Sequence, residues 1–207
     1  HTRLRTVTGV QTCALPISAY ACAGQWCTST SRALVEASVF DSVQGRVRER
    51  VARIRLGNGM DATTTMGPVC GDAQMRDIMR YIEIGRAEGA QLLCGGRALE
   101  GPGCFIEPTV FTGVTPEMTI AREEIFGPVL GLIRVGGFDE AVSVANAVAF
   151  GLSSSVFTTS LAQALRFVER TEVGLTHVNM PTAYKEPQLS FGGVKQSGAG
   201  LPEAGKT

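Results

Sequence analysis

Histidine is almost missing from this chain: His1 and His177 are the only two among 207 residues. That scarcity argues against a histidine-rich metal site. The six cysteines stand at 13, 22, 27, 70, 94 and 104, and none forms a Cys-x-x-Cys pair. Neither a zinc knuckle nor a thioredoxin-type centre is therefore expected, and no metal site is assigned. Net charge is lacking as well, because 19 Lys+Arg balance 19 Asp+Glu. A neutral chain offers no electrostatic reason to bind nucleic acid or an acidic membrane surface. No apolar run approaches the roughly 20 residues that cross a bilayer. Arg3 and Arg5 precede no apolar stretch of the secretory kind. The expectation is a cytoplasmic protein with no nucleic-acid and no membrane partner.

What is present is apolar residue, 44% of the chain. That suffices for a sizeable core in one domain, or a large part of one. Such a core needs no disulfide framework, so most of the cysteines are expected to be small buried hydrophobes.

The beginning of the chain reads as foreign. Val7-Thr8-Gly9-Val10-Gln11-Thr12-Cys13-Ala14-Leu15-Pro16-Ile17 matches the translation of a widely used sequencing-library adapter. Segments of that kind are set aside before fold reasoning. Residues 1–18 are expected to be non-native and to take no part in the fold, with the natural sequence upstream of Ser18 missing.

Beyond Ser18, helical and extended patterns alternate. Ser31–Ala37 suits a buried strand. Val39, Val43, Val47 and Val51 recur at helical spacing, with Ile54 beside them and Gly57-Asn58-Gly59 expected to end the helix. Asp72–Glu88 is a second helix, with Met75, Ile78, Met79 and Ile82 on one side. Gln91–Cys94 is a short strand. Phe105–Phe111 is extended, and Pro108 implies an edge or an irregular pairing. Strands follow at Val129–Val135, Ser153–Phe157 and Leu175–Val178, with helices at Asp139–Ala149 and Leu161–Arg170. Ser160 and Gln163 form a capping box for the last of these. The alternation predicts an α/β fold with a mostly parallel sheet flanked by helices.

Ala23-Gly24-Gln25-Trp26-Cys27-Thr28 holds the first residue with reactive chemistry. Glycine permits a sharp bend, and a thiol presented there is a nucleophile once ionised. The residues alone leave open a buried, inert cysteine. His177 is the only histidine that could serve as a base in a cysteine hydrolase or acyltransferase, and that alternative also stays open.

Gly24-Gln25-Trp26-Cys27, with Arg32 downstream, resembles the active-site cysteine motif of the aldehyde dehydrogenase superfamily. Glu123-Glu124-Ile125-Phe126-Gly127-Pro128-Val129 is similar to the family's second signature. Phe191-Gly192-Gly193-Val194-Lys195, followed by Ser197-Gly198, is similar to a third. Weaker matches lie between them, at Met66-Gly67-Pro68-Val69, at Phe105-Ile106-Glu107-Pro108-Thr109, and at Asn146 with Gly151-Leu152. The set runs in the family's order from about Ser18 to the end.

The resemblance implies that residues 19–207 are part of an aldehyde dehydrogenase catalytic domain. By that resemblance Cys27 is the catalytic nucleophile, forming a hemithioacetal and then a thioester. Glu124 and Phe126 bind the cofactor, NAD or NADP. Trp26, Thr28 and Phe191 line the site of a small-molecule aldehyde. Ser190 stands where many relatives carry proline. The loop Thr182-Ala183-Tyr184-Lys185-Glu186-Pro187 resembles the subgroup acting on semialdehydes with a distal carboxylate, such as 2-oxoglutarate semialdehyde. Lys185 is the candidate partner for that carboxylate. No strand-linked Gly-x-Gly-x-x-Gly occurs. The family's adenosine-binding residues, oxyanion-hole asparagine and general-base glutamate are expected upstream of this chain, and its final interface strand beyond Thr207. The longer parent is expected to be a homodimer or homotetramer. This chain alone is expected to be inactive.

Overall fold

In the computed structural model, residues 9–198 are described, with side chains from Ala14 onward. Helix α1 (Gly9–Tyr20) leads through a tight helical turn at Ala21–Gly24 to strand β1 (Arg32–Glu36) and helix α2 (Phe40–Val51). Then come α3 (Gly71–Ala87), β2 (Gln91–Cys94), β3 (Thr109–Thr112), the short α4 (Thr119–Arg122) and β4 (Val129–Val135). The remainder comprises α5 (Phe138–Asn146), β5 (Phe150–Gly151), β6 (Ser153–Val156), α6 (Leu161–Arg170), β7 (Leu175–Val178) and β8 (Val194–Lys195).

The main sheet has the order β1–β4–β3–β2. Strands β1, β4 and β3 pair in parallel and β2 closes the edge antiparallel to β3. The α/β expectation holds. Central β4, Val-Leu-Gly-Leu-Ile-Arg-Val, is buried at every position but Arg134, as a strand covered on both faces must be. Val43, Val47 and Val51 of α2 and Ile78 and Ile82 of α3 are buried in the same core. Arg134 reaches out of β4 to lie 4.1 Å over the Phe40 ring, and its guanidinium donates to Asp41 at 3.0 Å.

Some boundaries differ from the sequence reading. Helix α2 stops at Val51 rather than near Gly57. The chain is diverted there because the Arg55 carbonyl accepts from the N–H groups of Thr65 and Met66, and Leu56 bridges to Met66. Helix α5 stops at Asn146, short of Ala149. Pro108 is not at a sheet edge, because it sits just before β3, an interior strand. A proline one residue ahead of the ladder removes no ladder donor. The irregular pairing it implied is present nearby, as a register shift between Leu92 and Cys94. The Ser160 cap forms, its hydroxyl accepting from the Gln163 N–H at 3.3 Å. The reciprocal half does not: Thr158 Oγ1 accepts from the Ser160 N–H and donates to Gln163 Oε1.

The segment set aside as foreign takes part in the packing. Within residues 14–18, Ala14, Pro16 and Ser18 are buried, and α1 packs against α2. Just beyond it, the Tyr20 hydroxyl donates to the Thr109 carbonyl at 2.9 Å. Burial holds that phenol well above its ordinary pKa.

Strands β6 and β7 form a separate parallel pair, and β5 and β8 a short antiparallel one. Among the described residues, both β1 and β6 therefore have one unpaired edge. A cleft of about 610 Å³ lies between them, lined by 31–36 on one wall and 153–158 on the other.

Candidate active site

Cys27 sits on a turn closed by the Ser29 N–H donating to the Trp26 carbonyl at 2.8 Å. The backbone before it is unusual, with positive φ at Cys22, Ala23 and Gly24. Glycine is required at the last of these. A Cβ on Gly24 would stand 2.1 Å from the Gly127 carbonyl oxygen. This close approach sets the cysteine turn directly against the Glu124–Gly127 segment, although the two lie far apart in sequence.

That second segment carries its own strain. Phe126 has φ +52°, a conformation bulky side chains rarely adopt. It is held there from α3, where Gln74 Nε2 donates to the Phe126 carbonyl at 2.9 Å. The consequence is an aromatic ring left 39% exposed. Strain of this kind collects at functional sites, where the surroundings over-determine it.

Trp26, Cys27, Glu124 and Phe126 all line the cleft. Cys27 is exposed, and Glu124 is an exposed carboxylate. Thr28 is different: it is buried and lies behind the turn, its carbonyl accepting from Thr182 Oγ1 at 2.7 Å. Phe191 is half-buried and outside the cleft lining, with Lys185 Nζ 4.2 Å from its ring centroid. Gly192 and Gly193 form a tight turn packed on Gly174, whose added Cβ would meet the Gly192 carbonyl oxygen at 1.7 Å. The structure thus brings four of the six candidate residues onto one cleft.

Three residues have supporting roles that the sequence reading did not assign. Gln25 accepts from the Cys70 N–H through Oε1 at 2.8 Å and steadies the turn on one side. Thr182 steadies it on the other, with its hydroxyl also 2.8 Å from Thr30 Oγ1. Gln74 sets the Phe126 backbone. Each acts through a contact that no local pattern encodes. Arg32 also lines the cleft, donating to the Val144 and Ala145 carbonyls at 3.4 Å each. Burial lowers its pKa from the ordinary arginine value, and the last turn of α5 presents the carbonyls that favour its charge.

His177 has no part in this arrangement. Its Nδ1 lies 3.1 Å from the Ser154 carbonyl and its Nε2 3.0 Å from that of Tyr184. It is absent from the cleft that holds Cys27. The ring faces these two carbonyls rather than the thiol, so the structure does not pair His177 with Cys27 as a base.

Comparison with known proteins bears on the same segments. The chain is 40% identical over 192 residues to the alpha-ketoglutaric semialdehyde dehydrogenase of Bacillus subtilis, covering 91% of this chain and 39% of that protein. It is 44% identical over 183 residues to a betaine aldehyde dehydrogenase of Mesorhizobium japonicum, covering 86% and 37%. Among solved structures, an NAD-dependent aldehyde dehydrogenase from Sinorhizobium meliloti superposes with a TM-score of 0.91 at 37% identity, over 94% of this chain and 39% of that one. Betaine aldehyde dehydrogenase from Staphylococcus aureus, solved in complex with NAD+, gives a TM-score of 0.91 at 35% identity, over 95% and 40%. The chain therefore spans about two fifths of the length of these relatives. The sequence pattern of the aldehyde dehydrogenase family matches residues 13–207, a stretch that contains the cysteine turn and the strained Phe126 loop alike, and to that family the chain belongs.

Proposed function

We propose that the longer protein containing this chain oxidises an aldehyde to a carboxylic acid with NAD or NADP, through a thioester on Cys27. The observation that carries the proposal is the Gly24–Gly127 contact, which sets Cys27 beside Glu124 and Phe126 on one cleft.

The thiolate of Cys27 adds to the aldehyde carbon, forming the C–S bond of a hemithioacetal. A thiolate suits both halves of the reaction, since it adds readily to a carbonyl and later leaves from the thioester. The backbone N–H of Cys27 donates to the oxyanion, which lowers the cost of the developing charge. The exposed Glu124 carboxylate fits a nicotinamide ribose, because one carboxylate can accept from two vicinal hydroxyls. The exposed Phe126 ring fits the flat face beside it. Nicotinamide, when bound, supplies the two-electron acceptor. Trp26 forms one wall for the aldehyde, and Thr28 shapes the turn from behind. Phe191 acts at a distance, as a platform for Lys185.

The substrate class we favour is an aldehyde bearing a distal carboxylate. Lys185 lies over Phe191 on the loop that Thr182 ties to the cysteine turn. The likeness to a semialdehyde dehydrogenase supports this reading. A cytoplasmic location and a homodimeric or homotetrameric parent belong to the same proposal. So do the adapter origin of residues 1–18, testable by an independent read of the locus, and the inactivity of this chain alone.

The test uses the full-length parent. Cys27→Ala should abolish aldehyde-dependent reduction of nicotinamide, followed by absorbance. Lys185→Ala should raise KM for 2-oxoglutarate semialdehyde and leave betaine aldehyde unaffected. Ester cleavage without nicotinamide, lost on His177→Ala, would instead point to a cysteine hydrolase.

A further inference from the structure

We propose that Cys70 and Cys104 are a redox modification site, closing to an intramolecular disulfide on exposure to a peroxide. The disulfide itself does not depend on the catalytic reading of Cys27. Its coupling to the cysteine turn, described below, concerns that same turn.

The two residues come together although they are distant in sequence. The Val69 N–H donates to the Cys104 carbonyl at 2.8 Å, so the segments run side by side. The Cys104 thiol donates to Asp72 Oδ1 at 3.1 Å. Cys104 therefore touches residues immediately before and just after Cys70. Hydrogen-bonded chains lie about 4.7–5.5 Å apart, and disulfides bridge Cα atoms about 4.4–6.8 Å apart.

The two thiols differ in a way that divides the chemistry. Cys70 is exposed, at the entrance to α3, and meets an oxidant first. Cys104 is half-buried, and its hydrogen bond to Asp72, with some desolvation, pushes its thiol above the ordinary value. It is therefore held protonated beside a carboxylate able to take the proton.

The Cys70 thiolate attacks one oxygen of hydrogen peroxide and the O–O bond breaks. Cys70 becomes a sulfenic acid and the other oxygen leaves as hydroxide, protonated to water. Cys104 passes its proton to Asp72 and attacks the Cys70 sulfur. The S–S bond forms, the S–O bond breaks, and the leaving hydroxide takes the proton from Asp72. Two thiols and one peroxide give one disulfide and two waters.

The site is linked to the cysteine turn. The amide that Cys70 presents is the one bonded to Gln25 Oε1, and Gln25 precedes Trp26, the chain's single tryptophan. Closing the disulfide repositions that amide and so the turn.

The 207-residue chain should be treated with hydrogen peroxide, blocked with N-ethylmaleimide and digested with trypsin without reduction. The expected product joins peptide 56–76 to peptide 98–122. Cys70→Ser and Cys104→Ser should each abolish it, and Asp72→Asn should slow it and leave a dimedone-reactive Cys70. In a Cys27→Ser background, oxidation should shift Trp26 emission, and adding Cys70→Ser should remove the shift. Persistent Cys70 sulfenic acid in the unaltered chain, or Cys70 joined to Cys22 or Cys27, would overturn the pairing. An unchanged emission spectrum with the disulfide formed would overturn the coupling. Neither result bears on whether Cys27 is the nucleophile.

Discussion

The two sides of the cleft are built to different standards. On one side, β1, β3 and β4 share a continuous core with α2 and α3, running from Ala19 to Val135. On the other, β6 and β7 are half-buried along their whole length. Helix α6 there buries Ala164 and Phe167 but leaves Leu161 73% and Leu165 55% exposed. The first region holds itself together by filling space with Leu, Ile, Val and Phe. The second is held largely by hydrogen bonds: Asn179 exchanges bonds with Thr158, and Ser153 and Ser155 donate to the Thr182 and Met180 carbonyls. Apolar burial contributes more per residue than these partly buried hydrogen bonds do. The difference therefore predicts a stable body and a more easily opened flank.

Leu132→Ala, at a fully buried position in β4, should have the largest effect. Such truncations cost about 2–5 kcal/mol, and the loss should appear as a global fall in thermal midpoint. A shift confined to the β6–β7 flank would break the comparison.

Gly24→Ala comes next. Its φ of +69° disfavours a side chain, and the new Cβ would meet the Gly127 backbone. The cost should exceed about 1 kcal/mol. Separation of the two loops should also change the rate at which iodoacetamide alkylates Cys27. An unchanged rate would mean that the contact does not position the thiol.

Ser160→Ala should cost about 1 kcal/mol through the lost cap. Amide exchange should rise in α6 and not in α2 or α3. Uniform acceleration would show that the flank and the body open together.

Tyr20→Phe should have the smallest effect at neutral pH, about 0.5–1.5 kcal/mol for the hydrogen bond to Thr109. Its pH dependence is more telling. The folded-state pKa of Tyr20 is raised, so its contribution is complete below the unfolded value of about 10 and is lost as pH rises beyond it. Alkaline unfolding titrations should show a steeper loss above about pH 10 in the unaltered chain than in Tyr20→Phe.

The body was also the more legible half of the sequence. The valines of α2 and the apolar run of β4 state their burial by spacing alone, because period and composition are local properties. Helix ends were less legible, since the end of α2 depends on Arg55 pairing with Thr65 and Met66. At the site, the motifs named Cys27, Glu124 and Phe126 without explaining their proximity. Gln25 and Thr182 stand inside recognised segments and Gln74 in a helix, yet none showed its supporting role, because their partners, the Cys70 amide and the Thr28 and Phe126 carbonyls, are supplied by other elements. Nothing local marked residues 14–18 as packed.

The amino-acid sequence by itself determined the alternation of helices and strands, the parallel sheet they imply, and the residues able to do chemistry. The first two follow from side-chain period, and the last from the resemblance of the motifs to a known family. Only the tertiary structure decided that Cys27 and Phe126 face one cleft, that Thr28 stands behind it, that Phe191 lies beside it, and that His177 faces backbone carbonyls away from it. Those outcomes rest on close backbone approach and on hydrogen bonds between distant segments, which exist only once the chain has folded.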